Sequence, residues 1–142
     1  MIDHSFTPKP SYKVLILCTG NSCRSIIAQA LINAELEGIS AQSAGVKATG
    51  KVHPLAKIVL EEAGIWQESY HSKTLESLRD NQYDLIVTVC NHAKESCPIF
   101  PYPTPTLHCG FEDPDGLGIA DFKSTLKEIR RILLPQVQTT LS

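Results

Sequence analysis

The sequence predicts a single α/β domain of three layers, with a central parallel sheet of about four strands and helices on both faces. Two observations lead to this prediction. Short apolar runs alternate with segments of helical periodicity, and 142 residues suit one hydrophobic core, with no internal repeat or linker to divide it. Residues 1–12 are mostly polar and contain two prolines, so we assign them to a flexible extension and residues 13–142 to the domain.

Strands are predicted where short apolar runs are bounded by turn residues. The clearest is Asp84–Val89, which is apolar from Leu85 onward apart from Thr88 and therefore suits a buried parallel strand. Pro98–Pro105 contains four prolines and is expected to be irregular. The four predicted strands are Lys13–Leu17, Ile39–Ala44, Asp84–Val89 and Thr106–His108.

Helices are predicted where apolar residues recur at helical spacing between residues that start or stop a helix. Gly38 ends the first helix, Pro54 lies in the first turn of the second, and Gly64 follows the end of the second. The four predicted helices are Ser22–Leu36, Pro54–Ala63, a shorter one at Ser72–Arg79, and Ala120–Gln138, the last with a break or kink near Pro135.

The composition excludes several classes of protein. Lysine plus arginine number 13 and aspartate plus glutamate 15, so the net charge of −2 lacks the basic bias of a nucleic-acid-binding protein. No apolar run reaches the length of a membrane span, and residues 1–12 lack the apolar core of a signal peptide. Five cysteines without such a signal favour a reducing compartment. We therefore expect a cytoplasmic protein, with no membrane or nucleic-acid partner, and a monomer.

The most informative segment is KVLILCTGNSCRS, residues 13–25, which is typical of a strand, a tight loop and the start of a helix. Cys18 and Arg24 stand at the two ends of the loop, with five residues between them. Gly20 adopts a positive φ without steric cost and Asn21 tolerates one, so the loop can bend tightly. Its backbone N–H groups then turn inward beside the positive end of a helix, which suits a tetrahedral oxyanion.

This loop predicts both a binding site and a nucleophile. Arg24 can hold an oxyanion with two parallel hydrogen bonds. The same field is expected to lower the pKa of Cys18, so that it is a thiolate near neutral pH, and Ser25 can donate a hydrogen bond to it. The alternative, a structural cysteine followed by a solvated arginine, is disfavoured because the motif is complete and correctly placed. The predicted oxyanion-binding residues are Thr19, Gly20, Asn21, Ser22, Cys23, Arg24 and Ser25.

A second pair of thiols follows the buried strand, since Cys90 comes directly after it and Cys97 seven residues later. In a helix their Cα atoms would be roughly 10 Å apart, whereas a disulfide needs about 4.4–6.8 Å. A bridge would require the segment to unwind, so the pair is a candidate redox switch. Two ordinary buried thiols remain an equal alternative at this point.

Two further groups of residues occupy predicted loops. Asp113, before Pro114, lies in a turn-prone loop after the last strand, where a carboxyl near the anion site could act as a general acid; a simple Asx turn is the alternative. A zinc site would need His92, His108 and Cys109 to meet from several loops, and the chain has no short C-x2-C pair. We therefore expect no metal.

Together these segments resemble the thioredoxin-coupled arsenate reductases, which share the fold of low-molecular-weight protein tyrosine phosphatases. The resemblance runs from Lys13 to the C-terminal helix. CTGNSCRS and the Asp-Pro loop are common to both groups, and the Cys90/Cys97 pair is the reductase-specific element. The matching segments are CTGNSCRS at 18–25, SAG at 43–45, VTVC at 87–90 with CP seven residues after Cys90, and GFEDP at 110–114.

The resemblance implies a mechanism in which Cys18 attacks arsenate, Arg24 and the loop amides stabilise the oxyanion, and Asp113 protonates the departing oxygen. Cys90 then attacks Cys18 and releases arsenite, and Cys97 attacks Cys90. Thioredoxin, as external reductant, reduces the final disulfide. Phosphate and sulfate would compete with arsenate, and no tightly bound cofactor is implied.

Some relatives hold a monovalent cation near the loop, with a glutamate in the first helix and an aspartate after the second. Gln29 stands at the first place and Trp66 near the second, so we do not expect that site here.

Two other functions remain open. In a phosphatase, Cys18, Arg24 and Asp113 would act without the second thiol pair. Phosphatases typically have tyrosines after the Asp-Pro pair, and Asp115 and Gly116 stand there instead, so no aromatic wall would hold a phosphotyrosine ring. The other alternative is a non-enzymatic oxyanion-binding or redox-sensing protein.

Overall fold

The computed structural model describes residues 11–78, 80–90 and 104–141. Within these ranges there are four strands and four α-helices, together with one 3-10 turn and one π turn. The strands are β1 (Tyr12–Cys18), β2 (Ile39–Gly45), β3 (Leu85–Thr88) and β4 (Thr106–His108). The helical elements are α1 (Arg24–Glu35), α2 (Pro54–Glu62), the 3-10 turn Leu75–Leu78, α3 (Ile119–Glu128), the π turn Ile129–Leu133 and α4 (Leu134–Leu141).

The sheet is fully parallel, with the strand order β2-β1-β3-β4. This confirms the prediction of an α/β domain around a four-stranded parallel sheet. The chain passes from β1 to β2 on one side and later enters β3 on the other side of β1. At such a reversal a crevice opens beyond the carboxyl ends of the two strands. Cys18 ends β1 and Cys90 lies two residues beyond β3, so the topology brings both cysteines to this crevice.

Apolar side chains cover the sheet on both faces. Successive side chains of a strand point to opposite faces, and every residue of Val14–Leu17 and of Leu85–Val87 is 2% exposed or less. In α1, eight consecutive residues, Ser25–Ile32, are buried, because this helix contacts β2 as well as the C-terminal helices. The loop between β1 and α1 is therefore anchored at both ends in the core.

The start of α1 differs from the prediction. The helix begins at Arg24, not at Ser22, because Cys23 has a φ of −139° and a ψ of −71°, outside the helical region. Residues 22 and 23 therefore belong to the loop. The first strand begins at Tyr12, one residue before the predicted position.

The predicted helix Ser72–Arg79 is wrong as a helix of that length. Only Leu75–Leu78 is helical, as a single 3-10 turn, and the last predicted residue lies outside the described ranges. The residues before this turn are held by tertiary contacts, since Lys73 N–H donates to Asn21 Oδ1 at 2.8 Å. Contacts with the loop after β1 therefore override the local helical pattern.

The C-terminal helical run is not broken at Pro135. It continues from Ile119 to Leu141, and the π turn Ile129–Leu133 lies just before the proline. Proline cannot donate to the carbonyl four residues earlier, and its ring clashes with that carbonyl. The wider π turn occurs where this conflict arises, so the irregularity is placed correctly by the sequence but is not a break.

Several predictions concern residues outside the described ranges: most of the extension 1–12, the position of Cys97, and most of Pro98–Pro105. Among the residues that the structure describes, no helix is both long enough and apolar enough to cross a membrane.

Candidate active site

The 18–25 loop is held from outside by the segment that follows β2. Four of its carbonyl groups accept backbone N–H groups from this segment. The pairs are Cys18 with Val46 (3.1 Å), Thr19 with Lys47 (2.9 Å), Gly20 with Thr49 (2.9 Å) and Ser22 with His53 (2.8 Å). In a planar trans peptide the N–H points opposite to the carbonyl. The N–H groups of residues 19, 20, 21 and 23 therefore point to the inner side of the loop, where an anion would lie.

Asn21 fixes the bend of the loop. It is fully buried and has a positive φ of 50°. Its Nδ2 donates to Ser25 Oγ at 2.8 Å and to Ser43 Oγ at 2.9 Å, and its Oδ1 accepts the N–H of Lys73. The left-handed conformation is thus compensated by three hydrogen bonds of this side chain, two of them buried.

Ser43, at the end of β2, extends this network to α1. Its hydroxyl donates to Gln29 Oε1 at 2.5 Å, and Gln29 is itself only 6% exposed. Gly45 lies two residues further along β2, and a Cβ there would be 2.6 Å from the carbonyl oxygen of Thr19. The SAG sequence therefore serves the loop directly: its serine bonds to Asn21, and its glycine permits close approach.

Cys18 and Cys90 form the centre of the site. Both are buried, at 4% and 5% exposure, and their side chains are hydrogen-bonded to each other. Thr19 Oγ1 lies 3.2 Å from Cys90 Sγ, so the hydroxyl after the nucleophile also contacts the second thiol. Val89 N–H donates to the carbonyl of Leu17 at 3.0 Å, which continues the pairing of β1 and β3 up to these cysteines.

The prediction of a lowered pKa for Cys18 is wrong for this state of the protein. The hydrogen bond with Cys90, followed by burial, raises the pKa of Cys18 well above the usual range of a thiol. The positive charge of Arg24 and the N–H of Thr19 act in the opposite direction but do not prevail. Sequence reasoning included the loop's field but not the neighbouring thiol, because Cys90 is 72 positions away along the chain.

Arg24 and Asp113 are brought together as the sequence suggested. Arg24 Nη2 lies 3.3 Å from Asp113 Oδ2, and Nη1 donates to the carbonyl of Phe111 at 3.0 Å. The Nε of Arg24 is buried and has no hydrogen-bond partner among the described residues. A buried guanidinium N–H of this kind is costly without an acceptor, and an oxyanion in the loop would supply one.

Cys23 directly precedes Arg24 in the sequence, and its side chain contacts the Asp113 carboxyl. Its Sγ is 3.8 Å from Asp113 Oδ1. Burial, followed by the charge of Asp113, raises the pKa of Cys23 to about 12. This thiol therefore stays protonated near neutral pH, and only its backbone N–H faces the inner side of the loop.

Sequence reasoning missed Ser72 and His53. Ser72 Oγ donates to the carbonyl of Gly20 and accepts the N–H of Gly50, both at 3.1 Å. His53 caps α2 and contacts Asp115. The proline after His53 marked a helix start, which is a signal for a cap, but nothing local indicated the partner.

Cys109 and His108, two of the residues considered for a zinc site, make their side-chain contacts with other residues. Cys109 is buried, and Gln136 Nε2 contacts its Sγ at 3.7 Å. His108 Nδ1 lies 2.7 Å from the hydroxyl of Thr88. Within the described ranges, no group of three or more His, Cys, Asp or Glu side chains is arranged to hold a metal ion.

Comparison with known proteins places the chain in a family. Residues 13–141 match the family model described as low molecular weight phosphotyrosine protein phosphatase. The chain is 39% identical over 117 residues to an arsenate reductase of Brevibacillus brevis, covering 82% of this chain and 87% of the relative.

Two solved structures with different activities share the fold. A low molecular weight protein tyrosine phosphatase from T. tengcongensis has a TM-score of 0.77 and 27% identity, over 91% of this chain and 99% of that one. A thioredoxin-dependent arsenate reductase of Corynebacterium glutamicum has a TM-score of 0.69 and 26% identity, over 96% of this chain and 66% of that one. The chain belongs to the low molecular weight phosphotyrosine protein phosphatase family and, within it, groups with the arsenate reductases.

Proposed function

We propose that this protein reduces arsenate to arsenite, with Cys18 as nucleophile and Cys90 as the thiol that resolves the intermediate. The observation that carries the proposal is that the neighbouring strands β1 and β3 bring two buried thiols to one site, where Thr19 Oγ1, next to Cys18, lies 3.2 Å from Cys90 Sγ. Hydrolysis of a phosphate ester needs one thiol, whereas reduction of As(V) needs a second thiol that reaches the first. Arsenate reductase relatives of similar length support the same activity.

Binding comes first in the proposed sequence. The inward N–H groups of the 18–25 loop supply donors for a tetrahedral oxyanion, and so does the Nε of Arg24, which has no acceptor in the described part of the chain. These donors recognise charge and shape and not the central atom, so phosphate and sulfate are expected to compete with arsenate.

The nucleophile must then lose its proton. The hydrogen bond between the two thiols has two orientations: with Cys18 as donor it keeps Cys18 neutral, and with Cys90 as donor it stabilises the Cys18 thiolate. Thr19 Oγ1 is within hydrogen-bond distance of Cys90 Sγ and can support either orientation. Ionisation of Cys18 is therefore coupled to the orientation of the Cys90 S–H and Thr19 O–H groups.

In the first covalent step, the Cys18 thiolate forms an S–As bond, and an arsenate oxygen departs as water after Asp113 gives it a proton. In the second step, the Cys90 thiolate attacks Cys18 Sγ. The S–As bond breaks, its electron pair reduces As(V) to As(III), and arsenite leaves while a Cys18–Cys90 disulfide forms. Thiolate attack on sulfur from within hydrogen-bond distance needs little movement of the chain.

The final exchange involves Cys97, whose position lies outside the described residues. We propose that its thiolate attacks Cys90, which frees Cys18 and leaves a Cys90–Cys97 disulfide for an external dithiol. A thioredoxin-dependent relative makes thioredoxin the proposed reductant. A reductant of this kind would act in a reducing compartment such as the cytoplasm.

The test is multiple turnover of the reduced protein with arsenate, thioredoxin, thioredoxin reductase and NADPH, following NADPH loss and arsenite formation together. Cys90→Ser is expected to abolish sustained turnover while hydrolysis of 4-nitrophenyl phosphate continues. Cys109→Ser, which changes a buried thiol away from the centre, is the matched control and should keep both activities. Full turnover by the Cys90→Ser protein would exclude the proposed relay.

Phosphatase activity is the second candidate function. It is favoured by the proximity of Arg24 and Asp113 and by the family model, which is named for phosphatases. Brisk hydrolysis of aryl phosphates that does not need Cys90, with no consumption of NADPH in the presence of arsenate, would make this the main activity.

A further inference from the structure

A histidine outside the 18–25 loop is connected to the loop between β4 and α3, residues 109–118, which carries Asp113 and is called the acid loop below. His53 Nε2 lies 3.0 Å from Asp115 Oδ1, and Asp115 is two residues beyond Asp113. The imidazole is mostly buried, with 21% of the side chain exposed, whereas the Asp115 side chain is 69% exposed. The contact therefore joins a mostly buried ring to a carboxylate that is mostly exposed to solvent.

The proton position on His53 follows from its other partner. His53 Nδ1 accepts the N–H of Leu55 at 3.1 Å, as the cap of α2, so Nδ1 carries no hydrogen. The neutral ring must then carry its hydrogen on Nε2, which donates it to Asp115. The helix cap thus selects the tautomer that can hold the acid loop.

The orientation of the ring is also fixed. The imidazole packs against Phe122 of α3 at 4.5 Å between ring centroids, and Phe122 is fully buried. The backbone N–H of His53 donates to the carbonyl of Ser22 at 2.8 Å. His53 therefore contacts the 18–25 loop, α3 and the acid loop at once.

These contacts form a closed network that includes Asp113. Asp115 N–H donates to Asp113 Oδ1 at 3.0 Å, and Arg24 binds the other oxygen of Asp113. From the 18–25 loop the path runs through His53 to Asp115, then to Asp113, and returns through Arg24. Asp113 is half exposed, so without this network few contacts would restrict its carboxyl.

We propose that His53 is a positioning residue for Asp113: through the His53–Asp115 hydrogen bond it holds the acid loop so that the Asp113 carboxyl faces the oxygen that leaves. A hydrogen bond to a mostly exposed carboxylate competes with hydrogen bonds to water and contributes little net stability, so the expected effect is on the geometry of proton transfer. The inference depends on the proposed acid role of Asp113.

The test compares two aryl phosphates. Phenoxide is a poorer leaving group than 4-nitrophenoxide. Hydrolysis of phenyl phosphate therefore depends on the general acid more than hydrolysis of 4-nitrophenyl phosphate does. His53→Asn keeps a good helix cap but removes the Nε2 donor. We expect it to lower kcat for phenyl phosphate about fivefold and to leave 4-nitrophenyl phosphate within about twofold, with KM unchanged.

The partner side chain supplies matched controls. Asp115→Asn retains an acceptor oxygen and should behave like the wild type, whereas Asp115→Ala should reproduce His53→Asn. The double variant His53→Asn with Asp115→Ala should lose no more than either single variant, because both remove one connection. Equal loss for both phosphates, or additive losses in the double variant, would overturn the proposal.

A measurement without substrate separates this proposal from the function. Hydrogen exchange of the Asp115 amide reports its bond to Asp113 and should become faster in His53→Asn. If Asp113→Asn lowers kcat equally for both phosphates, the acid role of Asp113 fails. Hydrogen exchange of the Asp115 amide in His53→Asn still tests whether His53 holds the acid loop. Unchanged exchange in His53→Asn would overturn the positioning role by itself.

Discussion

Thr19 Oγ1 lies 3.2 Å from Cys90 Sγ, so the hydroxyl directly after the nucleophile contacts the thiol that is proposed to resolve the intermediate. The two residues are 71 positions apart in the chain and meet because β1 and β3 are neighbouring parallel strands. One side chain of the oxyanion loop thereby orients a residue that belongs to a different loop.

Thr19→Val should slow the second covalent step. The change keeps the backbone N–H and the shape of the side chain but removes the oxygen next to Cys90. Loss of one hydrogen bond of about 1 kcal/mol corresponds to roughly a fivefold slower release of arsenite. Rapid-quench measurement of arsenite in a single turnover checks this, and hydrolysis of 4-nitrophenyl phosphate should change little. Thr125→Val, the same change in α3, should affect neither reaction.

Cys90→Ala should lower the pKa of Cys18. The hydrogen bond with Cys90 is the largest cause of the raised pKa, so its removal leaves Arg24 with more influence. Alkylation of Cys18 by iodoacetamide, followed by mass spectrometry across pH in a buffer without oxyanions, should show a profile displaced to lower pH. A profile that stays in place or moves to higher pH would contradict the assigned cause. Cys109→Ala serves as the control.

Gly45→Ala should distort the oxyanion loop. The new Cβ would lie 2.6 Å from the Thr19 carbonyl oxygen, and both groups belong to backbone that hydrogen bonds hold in place. Overpacking of this kind costs about 1–3 kcal/mol of the free energy of unfolding. Urea unfolding and phosphate titration calorimetry should both show weakening. Gly118→Ala is the control, since the nearest atom to its Cβ would be 3.9 Å away.

Cys23→Ser should make the protein's stability less dependent on alkaline pH. The pKa of Cys23 is about 12 in the folded protein, against an ordinary value of 9.0. Between these values the unfolded chain binds fewer protons than the folded one, so the stability that this group contributes is lost as the pH rises. One thiol gives a slope of about 1.4 kcal/mol per pH unit.

Urea unfolding of the wild type and of Cys23→Ser between pH 8.5 and about 10.5 measures this difference. As the pH rises, the free energy of unfolding of the variant should fall less steeply than that of the wild type, by about 1.4 kcal/mol per pH unit. Parallel curves for the two proteins would contradict a raised pKa at Cys23. Other groups that titrate in this range are common to both proteins and cancel in the comparison.

The sequence by itself determined the local features of this protein. Apolar runs placed β1 and β3, because burial of both faces leaves a continuous apolar signal. Cys18 and Arg24 could be assigned to one loop because strand, turn residues and helix start are consecutive. The position of the helical irregularity near Pro135 was also local, because proline disturbs the backbone hydrogen bonds of the turn that precedes it.

Only the tertiary structure decided which distant groups meet. The contact of Cys90 with Cys18 follows from strand order, and it reverses the expected direction of the Cys18 pKa because a buried neighbour outweighs the field of the loop. Ser72 and Lys73 are not helical, because Ser72 Oγ donates to the carbonyl of Gly20 and Lys73 N–H donates to Asn21. Hydrogen bonds and desolvation act over a few ångströms in space, irrespective of separation along the chain, and apolar periodicity carries no record of such partners.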